Sequence, residues 1–104
     1  MLFRSVASLA ELRAVAGKAT ARGIKLRQTS HGNAWSVYFP DPEGNQIEIY
    51  LDTPWHVAQP HGDPMDFSLS DAEIFAQTEA KVRADPTFKV KEAREAELAR
   101  ILAR

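Results

Sequence analysis

Two periods alternate along this chain. Leu9, Leu12, Val15, Ala16 and Ala19 recur at the three- and four-residue steps of one helix face, while Arg13, Lys18 and Arg22 fall outside that stripe. Ser8, followed three residues later by Glu11, carries the capping-box pattern, so a helix is predicted to begin at about Leu9. Gly23 stands where the end of that helix wants a residue tolerant of a left-handed backbone. Ahead of it, Leu2 to Val6 is short and mostly apolar. Beyond Gly23 the period falls to two. Ile24 to Ser30 alternates imperfectly and is predicted as a strand, with His31-Gly32-Asn33 as a turn. From Ala34 to Phe39 the side chains of Trp35, Val37 and Phe39 point one way and those of Ser36 and Tyr38 the other. From Gln46 to Leu51 the apolar set is Ile47, Ile49 and Leu51 and the polar set is Gln46, Glu48 and Tyr50. Asp41-Pro42-Glu43-Gly44-Asn45 between them is dense in turn formers, which predicts an antiparallel hairpin.

Pairing these strands with Tyr38 near Glu48 and Ser36 near Tyr50 collects the polar side chains on one face and the apolar ones on the other. The apolar face is expected to pack on the helix. The polar face of such a four-stranded sheet needs either water or a second copy of itself. Asp52 to Leu69 is rich in Pro, His and Asp with Trp55 as its large anchor, and reads as an irregular arm. Ser70 and Glu73 repeat the capping box and open a helix through about Ala84, which Asp85-Pro86 ends because Pro lacks the backbone donor. A last helix is predicted from about Val90 to Arg104; Val90, Leu98, Ile101 and Leu102 form a narrow stripe that should dock while adding little core.

Composition narrows the classes. At 104 residues the chain is one small domain, able to bury about 60 to 65% of its unfolded surface. No apolar run approaches the roughly 18 to 20 residues of a membrane span, and Met1-Leu2-Phe3-Arg4 lacks the apolar core of a secretion signal, so a soluble, cytoplasmic protein is expected. The net charge of −1 is spread over interspersed signs, which argues against nucleic acid or a membrane surface as partner. With no cysteine, any metal must be held by His, Asp, Glu or water.

The segment from His31 to Tyr50, with Tyr38, the turn Asp41-Pro42-Glu43-Gly44-Asn45 and Glu48, resembles the last hairpin of a module of the vicinal oxygen chelate superfamily, the group of glyoxalases, bleomycin-resistance proteins and extradiol dioxygenases. The resemblance covers about residues 1 to 51. Asp52-Thr53-Pro54-Trp55-His56 resembles the segment that follows the hairpin in some single-domain members. The implied architecture is α+β: a βαβββ module over 1–51, an irregular arm over 52–69 and a helical C-terminal extension over 70–104.

In that group the Glu three residues after the turn Asn is a metal ligand facing the cavity, and Glu48 matches it. In the extradiol branch a Tyr ten residues before that Glu, and a His on the preceding strand or turn, act behind the ligands. Tyr38 matches by spacing; His31, seven residues earlier, stands closer than that branch leads one to expect. The implied metal is divalent, iron or manganese ahead of zinc, held by two neutral imidazoles and one carboxylate, with open positions for paired substrate oxygens. The family takes a His from the first strand of each module, and Met1-Leu2-Phe3-Arg4 holds none. It also encloses its site between two modules, so either the chain forms a homodimer or it is the C-terminal half of a longer parent.

Two functions are therefore expected. One is a metal-dependent enzyme of extradiol-dioxygenase type, or a degenerate relative: Glu48 as ligand, Tyr38 orienting a small-molecule substrate and His31 as acid or base. The other is a metal-free cup, formed by a dimer, that sequesters an aromatic or drug-like molecule on Tyr38, Tyr50 and Trp55. Plainer readings stand beside these. Glu48 is also a strand carboxylate facing solvent, Tyr38 a packing residue, His31 a turn residue, His56 and His61 surface residues of the arm, and Trp55 its hydrophobic anchor.

Overall fold

The computed structural model describes residues 2–103; Met1 and Arg104, the expected end of the last helix, lie outside the described residues. The chain forms a mixed α+β domain. β1 (Leu2–Ser5), α1 (Leu9–Ala21), β2 (Arg27–Ser30), β3 (Ala34–Pro40) and β4 (Gln46–Asp52) are followed by β5 (Trp55–His56) and β6 (Asp63–Pro64). α2 (Asp71–Arg83), β7 (Lys89–Val90) and α3 (Lys91–Leu102) complete it. The main sheet has the order β1-β4-β3-β2-β6. β1 runs parallel to β4, and the remaining neighbours are antiparallel.

Local chemistry sets the boundaries. The Ser8 hydroxyl accepts from the Glu11 amide at 3.2 Å, while the Glu11 carboxylate reaches back to Ala7 rather than to Ser8. At the other end of α1, Gly23 takes φ +74°. Its amide donates to the Thr20 carbonyl at 3.0 Å and that of Ile24 to the Ala19 carbonyl at 2.9 Å, the paired bonds that finish a helix with a left-handed residue. Ile24 is thus drawn into the cap, and the strand expected from Ile24 begins only at Arg27. The hairpin register follows the alternation: Tyr38 lies opposite Glu48, Ser36 opposite Tyr50 and Val37 opposite Ile49. In the turn, the Asp41 carboxylate accepts from the amides of Glu43 at 2.9 Å and Asn45 at 2.8 Å, and Gly44 takes φ +87°.

The apolar face packs under two helices. Trp35, Val37 and Ile49 join Leu12 and Ala16 of α1, Ile74 and Val82 of α2, and Trp55 and Val57 of the arm in one core. The Trp35 indole N–H, which would otherwise be a buried donor without a partner, donates to the Thr78 hydroxyl at 2.8 Å. Arg13 of α1 fastens the far end of the arm, donating to the carbonyls of Phe67 and Leu69 and to Asp71.

Three expectations need correction. The arm is not wholly irregular: β6 pairs with the outer edge of β2, so the sheet has five strands rather than four, and Pro64 is tolerated because an edge leaves one side unpaired. α3 starts after Val90, which is held in the β5–β7 pair opposite Trp55. The α3 stripe does not dock either: the helix buries no residue, and Leu98 and Ile101 are 43% and 52% exposed. α3 is tethered at its first turn, where the Lys91 amide donates to the Pro54 carbonyl at 2.9 Å and its ammonium to the Asn33 carbonyl at 2.7 Å. Among the described residues no helix is long and apolar enough to cross a membrane.

Candidate functional site

Strand register places the polar side chains in two rows across the sheet. Arg27, Tyr38, Glu48 and Phe3 stand side by side on β2, β3, β4 and β1, and Thr29, Ser36, Tyr50 and Ser5 form the next row. The centre of the face is a hydrogen-bonded group. Glu48 Oε2 accepts from the Ser36 hydroxyl at 2.8 Å and from the Tyr38 hydroxyl at 3.1 Å. The Tyr38 oxygen also lies 2.6 Å from His31 Nε2, and His31 Nδ1 lies 2.9 Å from the His61 carbonyl. The three residues singled out in the sequence, His31, Tyr38 and Glu48, are therefore joined in one chain of contacts.

His31 reaches this position because the backbone turns sharply behind it. Gly32 has φ +76°, and a Cβ there would come within 2.6 Å of Val57 Cγ2 and 3.0 Å of Val82 Cγ1. Only glycine fits. The Gly32 carbonyl accepts from the buried Thr53 hydroxyl at 2.6 Å, and the His31 amide donates to Ala34 at 2.8 Å. Two open clefts flank the His31 ring. One is lined by Phe3, Glu48, Tyr50 and Gln59, the other by Arg27, Thr29, Pro60 and His61.

Proton positions follow from the partners. A carbonyl only accepts, so His31 Nδ1 carries hydrogen. The single Tyr38 hydroxyl proton then lies between two acceptors, the Glu48 carboxylate and, in a neutral imidazole, His31 Nε2. Both contacts become hydrogen bonds at once only when one further proton resides on His31 or Glu48. The arrangement is thus a relay able to pass a proton between carboxylate and imidazole through a phenol. Burial pushes the Tyr38 phenol above the ordinary tyrosine value, and the Glu48 charge and hydrogen bond add to this. A Ser36 hydrogen bond and the Arg27 guanidinium, 4.5 Å above the Tyr38 ring, pull the other way and are outweighed. Tyr38 is consequently a proton donor at neutral pH and not a phenolate.

Several participants carried no role in the sequence. Ser36 is fully buried, and although its place on the polar face follows from alternation, its bond to Glu48 does not. Arg27 joins through the β2 register. His61, expected at the surface, has a side chain only 16% exposed, between the carboxylates of Asp63 and Asp85; nothing in its local sequence signals this. His56 pairs opposite Lys89 in β5 and takes no part in the site. Trp55, expected as a stacking surface in the metal-free cup, is instead buried in the core with Phe75 at 4.7 Å between ring centres, because its apolar area is worth more there.

The donor set does not fit the implied metal. The β1 neighbour of Glu48 on the polar face is Phe3, which has no donor atom. Both His31 nitrogens and Glu48 Oε2 are engaged by partners within the chain. Among the described residues no three His, Asp or Glu side chains gather as metal ligands would. Compared with known protein families, curated proteins and solved structures, the chain finds no match in any of the three.

Proposed function

We infer that this chain is a module of the glyoxalase and bleomycin-resistance type that binds a small organic molecule on its polar sheet face without a metal. The element order β1-α1-β2-β3-β4, with β1 closing parallel onto β4, supports the module. The observation that carries the binding reading is the hydrogen-bonded group Ser36–Glu48–Tyr38–His31, in which Glu48 and His31 line open clefts and the buried Ser36 and Tyr38 hold them from behind. Such a group orients a ligand by its hydrogen-bonding pattern, while Tyr50 and Phe3 offer flat apolar area beside it. A second copy of the chain is the occupant that would cover the face and turn the clefts into a cup.

A fragment screen by thermal shift tests this reading. Organic ligands alone should raise Tm, equally with metal chelated or supplied, and Glu48→Gln should abolish the rise while leaving the free protein folded. The second reading, a metal-dependent dioxygenase, has one observation in its favour: Glu48 is on the inner face beside Tyr38, as the resemblance implies. It requires two imidazoles beyond those this face supplies, so a bound iron or manganese ion lost on Glu48→Ala would replace the first reading with the second.

A further inference from the structure

We propose that His61 is the positioning residue of this site, a latch that holds His31 in the tautomer facing Tyr38. The functional meaning of the latch rests on the small-molecule reading above; its geometry stands apart from any ligand. Opposite nitrogens of the His61 ring face opposite carboxylates, Nε2 lying 3.3 Å from Asp63 Oδ2 and Nδ1 lying 3.7 Å from Asp85 Oδ2. Asp63 belongs to the arm, and Asp85 follows α2. A ring bracketed in this way attracts both carboxylates only when both nitrogens carry hydrogen, that is, as the imidazolium. The groups facing it are Asp63, Asp85 and Lys81, whose ammonium sits 3.4 Å from the other Asp63 oxygen and opposes the charge. The Asp85 carboxyl is held below the ordinary aspartate value, first by hydrogen bonds from the Thr87 hydroxyl and amide, with partial desolvation opposing and His61 assisting.

The latch reaches the site through the backbone. The His61 carbonyl takes the hydrogen of His31 Nδ1, the His61 amide donates to Gln59 Oε1 at 3.2 Å, and the Gln59 amide group donates to the His31 carbonyl at 2.9 Å. His31 is thus gripped at its ring and its main chain by one short stretch of the arm. Gly32 supplies the seat, since a methyl group there would crowd the His61 ring at 3.3 Å. In histidine the hydrogen bond made by one ring nitrogen decides the protonation of the other. With the arm latched, Nδ1–H is fixed and Nε2 is presented to Tyr38. With the arm released, Nδ1 loses its acceptor and the relay loses its defined direction.

Nitrogen-15 NMR of the imidazoles in the full chain tests this. In the wild type, His31 should show one tautomer with hydrogen on Nδ1. His61→Gln should leave His31 as a mixture of tautomers. Asp85→Asn, which leaves the polar face untouched, provides the same reading if the Gln variant fails to fold: the second His31 tautomer should appear. A His31 that keeps a single tautomer in these variants overturns the proposal. A protein that binds no organic fragment yet loses the single tautomer in the variants removes the binding reading and keeps the latch; a fragment-binding protein whose His31 keeps one tautomer in them does the reverse.

Discussion

The hairpin of β3 and β4 presents two faces built from alternate residues of the same strands, and different physics holds each. On one, Trp35, Val37 and Ile49 are stabilised by apolar area removed from water, a term that is additive and indifferent to direction. On the other, Ser36, Tyr38 and Glu48 are held by bonds in which every donor has a named acceptor. No buried side-chain nitrogen or oxygen among the described residues lacks a partner. The first face tolerates a change of shape but not a loss of volume. The second tolerates little change of chemistry, though each bond contributes only about 1 kcal/mol net.

Substitutions on the two faces should separate accordingly. Ile49→Ala opens a cavity in the shared core and should cost about 2 to 5 kcal/mol in urea unfolding, with the polar face geometry retained. A loss below about 1 kcal/mol would mean that this core is not packed as described. Tyr38→Phe should cost only about 1 kcal/mol of stability while removing the link between His31 and Glu48. Its pH signature is more telling. Tyr38 holds its proton above the ordinary tyrosine value in the folded state, so the unfolded chain releases it first and stability falls as pH rises past that ordinary value. The Phe variant should lack this portion of the alkaline loss, and identical alkaline profiles would remove Tyr38 from the buried network. The smallest effect belongs to a region outside the comparison: Leu98→Ser with Ile101→Ser on exposed α3 should stay within about 0.5 kcal/mol per site. A larger drop, dependent on protein concentration, would show that the helix stripe is covered in solution.

Period-two alternation made the register of Tyr38 and Glu48 legible, because side chains on paired strands have only two faces to choose between. Capping patterns placed α1 and α2 to within a residue, since Ser8 and Ser70 act over one helical turn. What escaped depends on distance along the chain. β6 spans Asp63 and Pro64 alone and has no period to read. His61 meets His31 across 30 residues through a backbone carbonyl, a partner that every residue carries and none advertises. The shortening of β2 arose from a competition between the cap at Ile24 and the strand, in which local hydrogen bonds prevailed. The helical period of α3 was visible, but docking requires a facing surface, and period alone does not supply one.

Trp35 has its neighbours in three parts of the chain: α1 lies on the face it points into, Thr78 of α2 holds its indole, and Trp55 of the arm shares its core. Severing the polypeptide after the hairpin would therefore leave the indole nitrogen without its acceptor and wet a surface that α2 and the arm keep dry. The arm and α2, which follow the hairpin in the chain, are thus the roof over its apolar face.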